Sequence, residues 1–253
     1  MDVLLAQVFA KNSLIVAFVF VGIVMWVSYW ASDKFSNGRF HGSAIAIILG
    51  LVLAYFAGAA TGGSKGVADI SLLTGVGVLG GAMFRDFAIV ATAYGADLRE
   101  IKRSGFVGVL SVLLGVVLSF AVGAIVAIAF GYTDSVSIST IGAGAATYIV
   151  GPVTGTALNA SSEVIALSVG AGLIKSVLVM VGTPFVAPFI GLNNPQSAMV
   201  YGGLMGTTSG VAGGLAATDP KLVPYGAMTA TFYTGVGCLL APSVLFLLVD
   251  SLV

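Results

Sequence analysis

The chain has 253 residues, of which 58% are apolar and 8% are charged, and its formal net charge is zero. Soluble domains carry about 25% charged residues, so this chain, with a mean hydropathy of +1.10, has too few to cover a water-exposed globule. Its one His and one Cys exclude a disulfide framework and a Cys/His metal cluster, and its charge balance excludes a basic nucleic-acid face. The composition predicts a single integral membrane domain over residues 1–253.

Eight apolar segments come close to or exceed the roughly 20 residues that cross a bilayer as a helix. They are Ser13–Ala31, Ser43–Ala60, Ile70–Tyr94, Gly105–Phe130, Val136–Ala160, Val164–Ile190, Ser197–Thr218 and Gly226–Val249. Lys and Arg concentrate in the 32–42 and 95–104 loops, which predicts that these loops are cytoplasmic and that both termini lie outside. The predicted fold is therefore an all-α polytopic membrane protein with about eight transmembrane segments.

Small residues interrupt three of these segments, at Thr74–Phe84, Gly142–Ser162 and Gly202–Asp219. Backbone at membrane depth must satisfy its own polar groups or line a polar cavity. Pro152 removes a backbone donor and disfavours helix at Gly151, so we predict a break at this pair. The third interrupted segment begins 60 residues after the second, which suggests two related units, as in the inverted repeats of elevator-type carriers.

A broken helix exposes N–H groups that favour an anion and carbonyl groups that favour a cation. The interrupted segments therefore suit a small oxyanion together with a sodium ion. For the third segment, close helix packing through its repeated glycines is an equal alternative. The predicted substrate-binding residues there and in the second segment are Thr154, Gly155, Thr156, Thr207, Thr208 and Ser209. The predicted sodium-binding residues are Asn159, Ser161, Ser162 and Glu163.

Two cations lie within apolar segments, Arg85 in the third and Lys175 in the middle of the sixth. Ionisable groups at such depth are costly and mark functional sites. Either cation suits a carboxylate substrate. For Arg85 the alternative is a structural ion pair, or a side chain that reaches the cytoplasmic interface.

Two stretches carry a resemblance to a known family. The stretches GPVTGTALNASSEVIALS from Gly151 and LIKSVLVMVGTPFVAPFIGLNNPQSAMVYGGLMGTTSGVAGGLAATDPKLVPYGAMTATFYTGVGCLL from Leu173 resemble the M subunit of bacterial malonate/sodium symporters. The resemblance implies a two-component carrier in the bacterial inner membrane, in which this chain works with a small hydrophobic L subunit. More distantly, the chain is similar to the LrgB/CidB family, whose S-V-T-T-P-I-A motif falls on 151–157 and carries over to Thr154 and Thr156.

The sequence and the resemblance together predict a sodium-coupled symporter that imports malonate, with sodium as coupling ion and no cofactor. We find no nucleophile–base pair and no metal-ligand set, so we predict that the chain is not an enzyme. Two alternatives stay open. One is a holin-associated membrane regulator like some LrgB/CidB relatives, and the other is an uncoupled small-carboxylate exporter or channel.

Overall fold

The computed structural model describes residues 11–37, 42–63, 65–79 and 98–253. The chain divides into two compact units, residues 1–91 and 92–253. In the described part every regular element is helical. The prediction of a single membrane domain stays a prediction.

The first unit contains two long apolar helices, α1 (Ser13–Ser36) and α2 (Gly42–Thr61), which pack against each other. The first ends at Asn37, whose left-handed backbone lets its N–H bond the Ser32 carbonyl. Two short 3₁₀ turns, Gly66–Asp69 and Ser71–Leu73, lead to a short helix α3 (Gly75–Leu79) that packs on α1.

The second unit alternates long helices with pairs of short ones. Its helices are α4 (Leu98–Ala129), α5 (Ser135–Ala146), α6 (Val150–Ala157), α7 (Ser162–Val186), α8 (Pro195–Met205), α9 (Thr208–Ala216), α10 (Val223–Leu240) and α11 (Phe246–Asp250). A 3₁₀ turn (Pro220–Leu222) precedes α10, and a π-helical turn (Ala241–Leu245) joins α10 to α11.

The short helix α6 runs back along α5. A Cβ atom added at Gly151 would lie 2.9 Å from Gly144 Cα, and one added at Gly155 would lie 2.8 Å from Thr140 Cγ2. From the first contact to the second, the residue number rises in α6 and falls in α5, so the two helices are antiparallel. We call this pair the first hairpin; its tip is residues 147–149.

The helices α8 and α9 form a second hairpin. A Cβ atom added at Gly226 in α10 would meet both the Ala198 carbonyl oxygen, near the start of α8, and the Leu215 side chain, near the end of α9. Two turns further along α10, the ring of Tyr233 packs on Gly206, which lies between α8 and α9. The chain therefore runs along α10 in one direction as α8 and in the opposite direction as α9. The tip of this second hairpin is at residues 206–207.

The two hairpins approach α7 from its opposite ends. Near the start of α7, Ile165 contacts Gly155 close to the base of the first hairpin. Near its end, Thr183 contacts Gly214 close to the base of the second hairpin. Both tips consequently meet the middle of α7, and glycines at these contacts allow the backbones to approach closely.

Five helical stretches of the described residues are long and apolar enough to cross a membrane. They are Ser13–Ser36, Gly42–Leu73, Gly105–Ala129, Ser162–Val186 and Pro220–Asp250. The count of eight is not confirmed, because the predicted spans Val136–Ala160 and Ser197–Thr218 are each two short helices that reverse direction. Most of the predicted span Ile70–Tyr94 lies outside the described residues.

The first break lies upstream of its predicted position at Gly151–Pro152. Pro152 is the third residue of α6, and a proline in the first helical turn removes an N–H that has no intrahelical partner there. The break falls instead at residues 147–149, where the Thr147 hydroxyl accepts hydrogen bonds from the N–H groups of Ile149 and Val150, at 3.2 and 3.1 Å.

Candidate substrate site between the hairpin tips

Lys175, in the middle of α7, directs its ammonium group at the tip of the first hairpin. Its Nζ donates hydrogen bonds to the Ala146 carbonyl oxygen at the end of α5 and to Ser119 Oγ on α4, both at 2.9 Å. It also lies 3.5 Å from the Tyr233 hydroxyl oxygen and 5.2 Å from the centre of that ring. Three elements of the second unit, α4, α5 and α10, thus converge on the ammonium group that α7 carries.

All these partners of Lys175 are neutral. Among the described residues no carboxylate forms an ion pair with it. A cation held in a low-dielectric interior is costly unless an opposite charge neutralises it. Lys175 is half-buried, and its ammonium group is therefore held largely away from water.

The next residue, Ser176, contacts the other hairpin. Its buried hydroxyl is hydrogen-bonded to the buried hydroxyl of Thr207 at the tip of the second hairpin. Thr207 also caps α9 by accepting from the Gly210 N–H at 3.4 Å. Adjacent residues on a helix point about 100° apart, so Lys175 and Ser176 can serve one tip each.

Both returning helices, α6 and α9, begin at the tips. The first N–H groups of a helix have no intrahelical partner, and its N-terminus carries a partial positive charge. The Thr147 hydroxyl and carbonyl oxygens already accept from the first N–H groups of α6, those of Ile149, Val150 and Gly151. The N-terminus of α9 is therefore the one whose N–H groups suit an anion, in addition to the Lys175 ammonium group.

Tyr233 fixes the geometry between the tips. Its side chain is fully buried, and its hydroxyl donates to the Gly115 carbonyl oxygen on α4 at 3.1 Å. Gly206 has a φ of 72°, and the Tyr233 ring occupies the space that a Cβ atom would need. A side chain at residue 206 would meet both backbone strain and a steric clash.

A comparison of the sequence with models of protein families shows which family the chain belongs to. The model described as "Malonate/sodium symporter MadM subunit" matches residues 5–253. The chain belongs to this family. No curated protein and no solved structure gave a match.

Membership of the MadM family implies that the chain is a subunit of a malonate/sodium symporter. MadM is a family of transporter subunits and not a family of enzymes. The apolar helices agree with a multi-pass membrane protein. The predicted resemblance to the M subunit is thereby confirmed.

The MadM-family structure brings together only some of the predicted substrate-binding residues. Lys175 and Thr207 lie at the tips, and Thr208 and Ser209 open α9 beside them. The other three lie on α6, whose Gly155 contacts Ile165 on α7, ten residues or about 15 Å along the helix from Lys175. These three are Thr154, which is buried, Gly155, and Thr156, which is exposed. Arg85 lies outside the described residues.

The predicted sodium-binding residues lie at the base of the first hairpin. All four are exposed: Asn159 and Ser161 lie in the connection between α6 and α7, and Ser162 and Glu163 are the first residues of α7. Ser161 caps α7 by accepting from the Val164 N–H at 3.3 Å, and Asn159 has a φ of 56° that turns the chain. Their role in sodium binding stays a prediction.

Sequence reasoning missed Ser119, Ser176 and Tyr233. Each is a single polar residue in a long apolar segment, where it cannot be distinguished from a side chain that serves helix packing. The one available signal was the adjacency of Ser176 to Lys175. The pairing of Lys175 with Ser119 and Tyr233 depends on contacts across 56 and 58 residues.

Proposed function

We propose that this chain, with a smaller hydrophobic membrane subunit, imports malonate together with sodium across the bacterial inner membrane. The observation that carries the substrate site is Lys175, a cation with only neutral partners among the described residues, where the tips of two hairpins meet. Membership of the MadM family supports the choice of malonate and sodium.

In the proposed mechanism one malonate carboxylate accepts from the Lys175 ammonium group. The other lies toward the N-terminus of α9, where the backbone N–H groups of Thr208 and Ser209 are donors without intrahelical partners. Bound sodium offsets part of the dianion charge, which lowers the electrostatic cost of moving it through a low-dielectric interior.

We further propose that each hairpin and the long helix after it form one unit of an inverted repeat. Matched residues at a 60-residue offset support this. Asp134 and Asn194 cap the entering helices by accepting from the N–H groups of Ser137 and Ser197, at 2.7 and 3.0 Å. Thr147 and its counterpart at 207 cap the returning helices. Such pairs of units carry alternating access in many secondary transporters.

The test is uptake of labelled malonate into proteoliposomes that contain this chain and its small partner, with and without an inward sodium gradient. The proposal predicts saturable uptake that is accelerated at least tenfold by the gradient. Uptake that ignores sodium would indicate an uncoupled carrier or channel. No uptake of malonate or any short carboxylate by the folded complex would favour a holin-associated regulator instead.

A further inference from the structure

Two buried hydroxyls of the first hairpin depart from the usual behaviour of this chain. Several helical Ser and Thr side chains elsewhere donate to the carbonyl three or four residues earlier, as Thr140 does to Val136 at 2.7 Å, and others bond a neighbouring side chain, as Ser176 does. Ser139 and Thr154 are both 0% exposed, and their hydroxyl oxygens have no hydrogen-bond partner. The third described residue of this kind, Ser28, lies in the first unit. A buried hydroxyl without a partner costs roughly 1–3 kcal/mol.

Ser139 and Thr154 project from the same side of the first hairpin. Each immediately precedes a member of the contacting pair Thr140 and Gly155. Neighbouring residues on a helix differ by about 100°. In two antiparallel helices, the residues that immediately precede a contacting pair project toward the same face of the helix pair, because the turns of about 100° per residue have opposite senses when both helices are viewed from one end. The two unpartnered hydroxyls therefore share one face.

That face is turned toward the C-terminal helices. At one end of it, one turn before Thr154, Val150 contacts Gly237 on α10, with Cγ2 2.9 Å from where a Cβ atom would lie. At the other end, one turn before Ser139, the Ser135 hydroxyl donates to Asp250 Oδ1 at 2.7 Å.

The segment that lies between these two contacts is the π-helical turn Ala241–Leu245. Both α5 and α6 pack against it. Such turns occur frequently at functional sites, and Pro242 within it contributes no backbone donor.

We propose that Ser139 and Thr154 are ligands of the coupling sodium ion, bound between the first hairpin and this π-helical turn. Neutral hydroxyl and carbonyl oxygens suit a small monovalent cation, whereas Ca²⁺ and Mg²⁺ sites normally include carboxylates. The inference rests on the proposed function, and names the ion site of the same transporter.

The position of this ion also explains how it is coupled to substrate. In this proposal sodium holds the first hairpin against the C-terminal helices. The Ala146 carbonyl oxygen, at the tip of the same hairpin, accepts a hydrogen bond from Lys175. An ion bound to the hairpin therefore stabilises the arrangement in which Lys175 is positioned for malonate. Ligands that favour the same conformation bind with positive cooperativity.

The test compares the sodium dependence of malonate uptake by Thr154→Val and Ser139→Ala with that of the wild type. Both changes remove a hydroxyl with little change of volume. We expect the half-saturating sodium concentration to rise at least tenfold, with the malonate KM at saturating sodium changed less than twofold. Thr140→Val is the matched control, because it removes a neighbouring hydroxyl that already has a partner, and it should leave the sodium dependence unchanged.

A variant that does not transport remains informative through thermal stability. Sodium should raise the melting temperature of the wild-type complex, since an ion bound only to the native state stabilises it. The inference predicts that Thr154→Val loses this shift and that Thr154→Ser, which keeps the hydroxyl, retains it. A sodium response equal to that of the wild type in both Thr154→Val and Ser139→Ala would overturn the inference. Sodium-independent uptake by the wild type would overturn the proposed function instead.

Discussion

Lys175 is the residue on which the proposed substrate site depends most directly. A lone lysine in the middle of a long apolar segment predicts a functional cation, because burial of a charge must be compensated. The structure supplies three neutral oxygen atoms around Nζ and two hairpin tips beside it. Its neighbours could not be predicted, since Ser119 and Tyr233 are brought to it by packing of elements that are distant in sequence.

Gly206 offers a test of the tip geometry at the level of a single residue. We expect Gly206→Ala to lose about 1–2 kcal/mol from backbone strain and more from the clash with the Tyr233 ring, and to lose malonate uptake. The measurements are the free energy of unfolding, or the melting temperature, and uptake in proteoliposomes.

A matched control for this substitution is Gly191→Ala. Gly191 has a similar φ of 66°, but nothing lies within 4 Å of the position of its Cβ atom. It should therefore show the strain without the clash and retain uptake. Equal stability and equal uptake in the two variants would show that the contact between Gly206 and Tyr233 does not shape the site.

At the scale of the element, the long helices were predictable and the hairpins were not. The segments that form α1, α2, α4, α7 and α10 have the length and hydropathy of membrane spans. The segments Val136–Ala160 and Ser197–Thr218 have them too, yet each reverses at its middle. Hydropathy indicates only whether a residue suits an apolar environment. Whether the chain reverses direction depends on which other helix the second short helix of each segment packs against. The small residues marked the correct segments but not the direction of the chain.

Labelling of introduced cysteines discriminates the hairpins from continuous spans. In a Cys238→Ser background, single cysteines at Ser162, Gln196 and Lys221, which are all exposed, are treated with a membrane-impermeant thiol reagent. The second hairpin predicts that the cysteines at 196 and 221 react from the same side of the membrane, and the one at 162 from the opposite side.

Eight continuous spans give a different pattern. In that topology the cysteines at 162 and 221 would react from one side and the cysteine at 196 from the other. This outcome would contradict the second hairpin and the inverted repeat built on it. Intact cells and permeabilised cells, compared in parallel, show which positions are reachable and separate sidedness from burial.

At the scale of the whole molecule, the proposed anion site and the proposed cation site both include residues of the first hairpin. The first hairpin contacts Lys175 through Ala146 at its tip, and carries Ser139 and Thr154 on the face toward the C-terminal helices. Sodium and malonate then need not touch each other to be coupled, because both favour the same position of this hairpin.

Direct binding of labelled malonate to the purified complex, at saturating sodium, is the measurement that decides whether Lys175 holds the substrate. We predict that Lys175→Met weakens binding at least 100-fold, equivalent to about 2.7 kcal/mol, in a complex that stays folded, since the loss of the donor to the Ala146 carbonyl oxygen and the Ser119 hydroxyl is offset by removal of an ammonium group that is costly to bury. Lys221→Met, at an exposed position, is the control and should bind as the wild type does. Malonate affinity within twofold of the wild type in Lys175→Met would contradict the proposed site.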